Sequence, residues 1–144
     1  FDTALMGRRS YEAALAGPGG GAMPGIRTYV FSRTLRPEDH PGVTFVRDNV
    51  SAALATLRQA AGKEIWLFGG GELFRSLLEL GEVDRIEVGL VPILLGQGIP
   101  FLAGLGRLAR LRLTETRRYP TGIIMLTYEV ARERGRRPAQ AAQA

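Results

Sequence analysis

Three stretches of the sequence combine glycines, arginines and hydroxyl groups, from which proteins build phosphate-binding sites. The first, FGGGELF, places Gly69, Gly70 and Gly71 between an apolar, strand-like run and an amphipathic run. Backbone without side chains can bring bare N–H groups against a phosphate, and the N-terminus of a following helix adds positive potential. The alternative interpretation is a tight strand-to-helix turn that binds nothing.

Two further stretches add cations to the same chemistry. LMGRRSYE joins an apolar strand to a helix through Gly7, two arginines and Ser10, a residue type that often starts helices. In YVFSRTL an alternating strand ends on Ser32 and Arg33, a hydroxyl and a guanidinium suited to a phosphate monoester. Taken singly, these could be solvated helix-start charges and ordinary loop residues. Taken in this order, the three stretches predict a phosphate-rich dinucleotide ligand.

The elements that must position these stretches alternate along the chain. Hydrophobic periodicity predicts strands over residues 3–6, 27–31, 43–46 and 64–68 and from 85, with helices over 8–16, 51–61 and 72–80. The segments 17–25 and 36–42 are rich in breakers or polar residues and are predicted to be loops. This order predicts an α/β fold with a mostly parallel sheet, because parallel neighbours need crossover helices.

Several details of these elements can be predicted as well. Leu54, Leu57 and Ala61 fall on one face of the second helix, and Asp48 or Asn49 is expected to cap it. Residues 65–68 are continuously apolar, which predicts a buried strand.

The last third of the chain has the pattern of a hairpin. Two alternating runs, at 110–119 and 123–131, are joined by Pro120, Thr121 and Gly122, which are typical turn residues. We therefore predict an antiparallel C-terminal hairpin that finishes the parallel sheet.

The motifs MGRRSYE, VFSRT, FGGGELF and VPILLGQGIPF, in this order, resemble the RibD C-terminal domain, the reductase domain of bacterial riboflavin biosynthesis. This family belongs to the dihydrofolate reductase superfamily, and the resemblance runs from Leu5 to about Val130. It implies a three-layer α/β/α sandwich, NADPH as cofactor, and reduction of 5-amino-6-(5-phosphoribosylamino)uracil. The alternatives are a dihydrofolate- or pterin-type reductase, another small C=N or C=O substrate, and an NADPH-binding module without catalysis.

The resemblance also implies roles for the residues of the first two cationic stretches. Gly7, Arg8 and Ser10 are expected to meet the cofactor phosphates at the start of the first helix. Ser32 and Arg33 are expected to meet the adenosine 2′-phosphate.

The glycine triplet has its own implied roles. The resemblance predicts a cis peptide between Gly69 and Gly70. The backbone N–H groups of Gly71, Glu72 and Leu73 would then face the cofactor pyrophosphate.

Two further expectations concern the edges of this site. Arg47, at the end of the third strand, is a weaker candidate near the adenosine; the alternative is a plain surface arginine.

Family members begin with a strand, a mobile loop and a helix before the segment that corresponds to Phe1, so we expect the chain to lack these parts. No catalytic acid can therefore be named.

Length and composition predict one domain over residues 1–131, which the resemblance implies to be an NADPH-binding reductase domain. A disordered tail that is rich in Arg, Ala and Gln is predicted at 132–144. The formal charge is +5, but residues 132–137 alone contribute +3, and no aromatic residues are interleaved with the basic ones. We predict no nucleic-acid partner, with RNA or DNA binding by the tail as the alternative. The absence of cysteine fits a reducing cytoplasm, and no apolar run is long enough for a membrane span.

An apolar loop and a single histidine are two remaining features of the sequence. The loop at 91–102 exposes apolar groups, which could close over a heterocyclic substrate, pack the loop itself, or form a homodimer contact. His40, the only histidine, lies beside Pro41 in a polar loop and is expected to be solvated. We predict no metal site, since no cluster of His, Asp or Glu has ligand spacing.

Overall fold

The computed structural model describes residues 1–17, 21, 23–102, 104, 106 and 108–131. The predicted tail at 132–144 and parts of the predicted loop at 17–25 lie outside these residues. The elements are, in order, β1 (Thr3–Gly7), α1 (Arg8–Leu15), β2 (Arg27–Phe31), a short 3₁₀ helix (Pro37–Asp39), β3 (Val43–Val46), α2 (Val50–Gln59), β4 (Ile65–Gly69), α3 (Gly71–Glu79), β5 (Arg85–Leu90), β6 (Leu111–Arg118) and β7 (Ile124–Val130). The predicted α/β class is confirmed.

Residue contacts divide the chain into two compact units. The first comprises residues 1–82 and 100–105, and the second comprises residues 83–99 and 106–144. The predicted boundaries of one reductase domain, 1–131, stay a prediction.

The first unit is built on a parallel sheet of four strands in the order β3-β2-β1-β4. β1 lies inside this sheet and pairs with both β2 and β4, and its residues from Thr3 to Met6 are buried. Met6 and Val30, fully buried, form a core cluster with Tyr11 of α1. The buried central strand therefore anchors the unit.

Helix α2 follows the prediction at its start and departs from it at its end. The Asn49 side chain accepts a hydrogen bond from the N–H of Ala52 at 3.1 Å, so Asn49, and not Asp48, is the cap. Leu54 and Leu57 are buried as expected. Ala61 is exposed and lies beyond the helix, which ends at Gln59, so its predicted place on the buried face was wrong.

The predicted burial of residues 65–68 was also wrong. Ile65, Trp66 and Leu67 are half-buried, and Phe68 is 43% exposed. Among the described residues β4 is hydrogen-bonded to β1 alone, so only one of its edges is paired. Trp66 is instead covered by rings of its own unit, because Phe1 stacks on it at 4.7 Å and Phe68 contacts it edge-on at 5.0 Å.

The prediction that His40 is solvated was wrong. Its ring is half-buried and lies 5.4 Å from the Tyr11 ring and 5.8 Å from the Phe45 ring. Burial raises the pKa of Tyr11 above its usual value of 10.0. The three rings close the core cluster on the side of the polar loop.

The second unit is an antiparallel sheet in the order β5-β7-β6. The C-terminal hairpin is confirmed, with the N–H of Tyr119 donating to the carbonyl of Ile123 across the turn at 2.9 Å. The prediction that it finishes the parallel sheet was wrong, because among the described residues β5, β7 and β6 form a sheet of their own. Within the described ranges, no helix is long and apolar enough to cross a membrane.

One carboxylate ties together distant parts of the first unit. Asp2 accepts hydrogen bonds from the backbone N–H of Lys63 at 3.0 Å, the Thr3 hydroxyl at 2.8 Å and the Arg27 guanidinium at 3.2 Å. These contacts, that of Lys63 first, lower the pKa of Asp2 from 3.8 to about 2. The starts of β1 and β2 are thereby joined to the segment before β4.

Asp2→Asn is expected to lower the thermal midpoint at neutral pH. The folded-state pKa is depressed, so the ionised carboxylate stabilises the fold above about pH 4, and this stabilisation is lost as the pH falls toward 2. Thermal melts of wild type and variant should therefore differ near pH 7 and converge near pH 2. Asp39→Asn, the same change at an exposed position, should produce a smaller difference. A gap for Asp2→Asn that is as large at pH 2 as at pH 7 would contradict this account.

Candidate functional site

The first unit has a cleft where the carboxyl ends of its strands meet. Because β1, β2 and β4 run parallel, the segments that follow them emerge at one edge of the sheet. The cleft has a volume of about 400 Å³. It is lined by Gly7, Arg8, Arg9, Ser10, Phe31, Ser32, Arg33, Thr34, Gly70, Gly71, Glu72 and Leu73.

The structure brings together nine of the ten predicted binding residues in this lining. The tenth, Gly69, precedes Gly70 directly, and the peptide bond between them is cis, as predicted. The lining also contains three residues that were not assigned to the site, namely Arg9, Phe31 and Thr34. Arg9 lies within the MGRR motif, so its adjacency to Arg8 was an available signal. Phe31 and Thr34 simply flank the Ser-Arg pair.

Two helices begin at the cleft without side-chain caps. α1 starts directly after β1 with Gly7 as its N-cap, and α3 starts directly after β4 with Gly70 as its N-cap. Neither glycine can offer a side-chain acceptor, so the first N–H groups of both helices can bind an anion. The residue type of Ser10 suggested that it starts the helix. It does not, because Ser10 is the third residue of α1.

Close packing explains one of the glycines, Gly70, and backbone conformation explains another, Gly69. A Cβ on Gly70 would lie 3.0 Å from Oγ of Ser10, which is tighter than most real contacts. Gly69 has a φ of +141°, which side chains rarely adopt. A Cβ on Gly7 would meet the backbone nitrogen of Gly70 at 3.6 Å, an ordinary contact. Gly70 is therefore packed closely against Ser10 of α1, and Gly69 is required by its backbone conformation.

The turn after β2 is closed by the side chain of Ser32. This residue is only 7% exposed, and its Oγ accepts hydrogen bonds from the N–H groups of Thr34 at 3.3 Å and Leu35 at 3.1 Å. The N–H of Ser32 donates to the carbonyl of Val46, the last residue of the neighbouring strand β3, at 3.1 Å. The Oγ of Ser32 also lies 3.5 Å from Oγ1 of Thr34, and either hydroxyl can donate. Ser32 thus shapes the turn, and its single proton can go either to Thr34 or to a ligand.

Arg47 holds the same turn from outside the cleft. Its guanidinium donates to the carbonyl of Leu35 at 2.8 Å and to the carbonyl of Arg33 at 3.4 Å. Arg47 does not line the cleft. It is therefore a positioning residue for the backbone that carries Arg33.

Each of the three arginines in the cleft is paired with an exposed carboxylate. Arg8 pairs with Glu12 at 2.9 Å. Arg9 pairs with Glu72 at 3.4 Å, and both side chains are nearly 80% exposed. Arg33 pairs with Asp48 at 3.6 Å. Exposed ion pairs of this kind contribute only about 0–1 kcal/mol, so a ligand anion can replace the carboxylates at low cost.

The apolar loop at 91–102 falls into both units. Leu94 and Ile99, in the second unit, are almost fully exposed. Phe101, in the first unit, packs against Phe74 of α3 with ring centroids 5.5 Å apart. The packing role is confirmed for Phe101, and the substrate and homodimer roles stay predictions.

Comparison with known proteins identifies the family. The family model of the RibD C-terminal domain matches residues 26–125. The chain belongs to the RibD C-terminal domain family. The motif-based resemblance is thereby confirmed, and the chain is a member of a reductase-like family. The matched range includes the Ser32–Arg33 pair and the glycine triplet, whereas Gly7, Arg8 and Ser10 lie before it.

Two curated relatives are themselves uncharacterized proteins of Bacillus subtilis strain 168. YyaP is 32% identical over 102 residues, which cover 71% of this chain and 54% of YyaP. YwjB is 30% identical over 118 residues, which cover 82% of this chain and 68% of YwjB. The chain thus spans about half the length of the first relative and about two thirds of the second.

Solved structures agree on the fold. A putative riboflavin biosynthesis protein from Shewanella sp. PV-4 superimposes with a TM-score of 0.77 at 23% identity, covering 91% of this chain and 75% of its own. A pyrimidine reductase-like protein from Corynebacterium diphtheriae gives a TM-score of 0.70 at 19% identity, covering 92% and 77%. At these identities the likeness shows the fold alone, and it agrees with the predicted α/β class.

The backbone conformation of Gly69 in the glycine triplet gives a testable prediction. Gly69→Ala is expected to destabilise the protein by about 1–3 kcal/mol, because alanine is strained at a φ of +141°. Gly7→Ala, the same change at a φ of −76°, should alter the free energy of unfolding by less than about 1 kcal/mol. Urea unfolding of both variants measures the difference. Equal losses would mean that backbone conformation is not what requires glycine at position 69.

Proposed function

We propose that this domain is an NADPH-dependent reductase. The observation that supports it is the convergence, in one cleft, of two uncapped helix N-termini, three arginines and the turn that carries Ser32 and Arg33. Backbone N–H groups and guanidiniums together suit a ligand with several phosphates. The RibD C-terminal domain family adds the reductase class.

The residues of the cleft fit the phosphate-bearing parts of such a cofactor. The N–H groups of Gly71, Glu72 and Leu73, at the start of α3, would hold the pyrophosphate. Arg33 and the Ser32 hydroxyl, whose proton would turn from Thr34 to the ligand, would hold the 2′-phosphate.

Gly7, Arg8 and Ser10, at the start of α1, would complete the phosphate contacts. Gly7 leaves the backbone open to the ligand, and Arg8 needs only to exchange an exposed carboxylate for a phosphate. Arg9, paired with exposed Glu72, adds a cation that the sequence alone did not assign.

The division of labour in the reaction follows from this assignment. The cofactor supplies the hydride when bound, and the protein binds and orients it. The carboxyl ends of β1, β2 and β4 would fix the phosphates, and thereby the reach of the rest of the cofactor. No residue of the described chain is assigned as proton donor.

The proposed substrate is 5-amino-6-(5-phosphoribosylamino)uracil, or a close heterocyclic relative. It is supported by the family and by the likeness to a protein described as pyrimidine reductase-like. A dihydrofolate- or pterin-type substrate is the neighbouring possibility. Steady-state assays of the pyrimidine and of dihydrofolate on the complete gene product separate them, and turnover of dihydrofolate alone would overturn the first choice.

Direct titration of the chain with NADPH and with NADH, followed by nicotinamide fluorescence at fixed salt, tests the cofactor. Tighter binding of NADPH is the expected result. Binding of neither nucleotide would refute the proposal for this chain. Binding without any turnover by the complete gene product would identify the non-catalytic NADPH-binding module instead. The cytoplasmic location and the homodimer stay predictions.

Arg33→Ala should weaken NADPH by about 1.5–3 kcal/mol and leave NADH nearly unchanged, because the guanidinium would contact a phosphate that only NADPH carries. The same titration measures both affinities. Arg36→Ala removes an exposed arginine of the same loop that does not line the cleft, and it should change neither affinity much. An equal loss of NADPH and NADH affinity in Arg33→Ala would mean that Arg33 does not contact the 2′-phosphate.

A further inference from the structure

The two residues that follow β3, Arg47 and Asp48, both contact the turn that carries Arg33. Arg47 donates to the carbonyls of Arg33 and Leu35 and so fixes the path of the turn. The next residue, Asp48, pairs its carboxylate with Nε of Arg33 at 3.6 Å. Two adjacent residues of one strand end therefore act on the same guanidinium, one through the backbone and one directly.

We propose that Asp48 is a specificity-determining residue that limits how strongly the domain prefers NADPH over NADH. This inference rests on the proposed cofactor and on Arg33 as the reader of the 2′-phosphate. A 2′-phosphate has to displace Asp48 from Arg33 and then remain close to a carboxylate of the same sign. Asp48 therefore weakens the binding of the phosphorylated nucleotide.

The same carboxylate has the opposite effect on the nucleotide without the extra phosphate. A carboxylate beside the adenosine ribose accepts a hydrogen bond from the 2′-hydroxyl of NADH, whereas an arginine accommodates the 2′-phosphate of NADPH. The Arg33–Asp48 pair places both groups at one position. The pair can thus accept the adenosine ribose of either NADPH or NADH. It gives a smaller preference for NADPH than Arg33 alone would give.

The exposure of the pair sets the size of the effect. Both side chains are 82% exposed, so the pair is easily opened and its Coulomb terms are screened by water. Removing the carboxylate frees Arg33 and also removes the repulsion of the phosphate. We expect Asp48→Asn to tighten NADPH about three- to tenfold while NADH stays unchanged or weakens.

The experiment is titration of wild type, Asp48→Asn, Arg33→Ala and the double variant with NADPH and NADH. Adenosine 2′,5′-bisphosphate and adenosine 5′-monophosphate serve as probes that differ only in the 2′-phosphate. The ratio of the two affinities is the readout, because a merely structural effect of Asp48 would move both ligands together. Asp39→Asn, the same change at an exposed residue outside the cleft lining, controls for net charge.

A raised ratio in Asp48→Asn that disappears when Arg33 is also replaced, and that Asp39→Asn does not reproduce, supports the inference. A ratio that is unchanged or lowered in Asp48→Asn overturns it, since Asp48 would then be neutral or would orient Arg33 productively. If wild type binds NADPH in preference to NADH and only the Asp48 effect is missing, the proposed cofactor survives. If wild type binds none of the four ligands, both proposals fail.

Discussion

The parallel pairing of β1 with β2 on one side and β4 on the other is the constraint on which the candidate site depends. It places three strand ends at one edge of a sheet, and with them the starts of α1 and α3 and the turn after β2. β1 can hold this central position because its residues from Thr3 to Met6 are buried and its edges are both paired. Three motifs thereby form one cleft, although residues of the first and the last, such as Arg9 and Glu72, are 63 positions apart in sequence.

The cleft uses two kinds of positive charge that respond differently to a ligand. The helix N-termini at Gly7 and Gly70 are fixed by the backbone and need no rearrangement to meet an anion. The guanidiniums of Arg8, Arg9 and Arg33 are side-chain groups paired with exposed carboxylates. Fixed N–H groups give position, and exchangeable ion pairs give charge at little cost in desolvation.

The residues that support the site are as informative as those that line it. The Ser32 hydroxyl oxygen accepts two backbone hydrogen bonds within the turn that carries Arg33. Arg47, outside the cleft, holds the carbonyls of the same turn. Asp48 forms an ion pair with Arg33. Membership in the RibD C-terminal domain family assigns the class of the domain, whereas these contacts belong to this chain and decide how it would read a nucleotide.

Local sequence determined the elements and the chemistry of the motifs. The ranges of β2 and β3 were predicted to the residue, because strand alternation and flanking breakers are local signals, and the cis bond at the glycine triplet followed from the family motif. Tertiary structure alone decided which strand edges are paired. It left β4 half-buried, gave both edges of β7 to β5 and β6, and brought His40 against Tyr11 and Phe45. Burial, pairing and salt bridges such as Arg33–Asp48 depend on residues distant in sequence, and no local pattern encodes them.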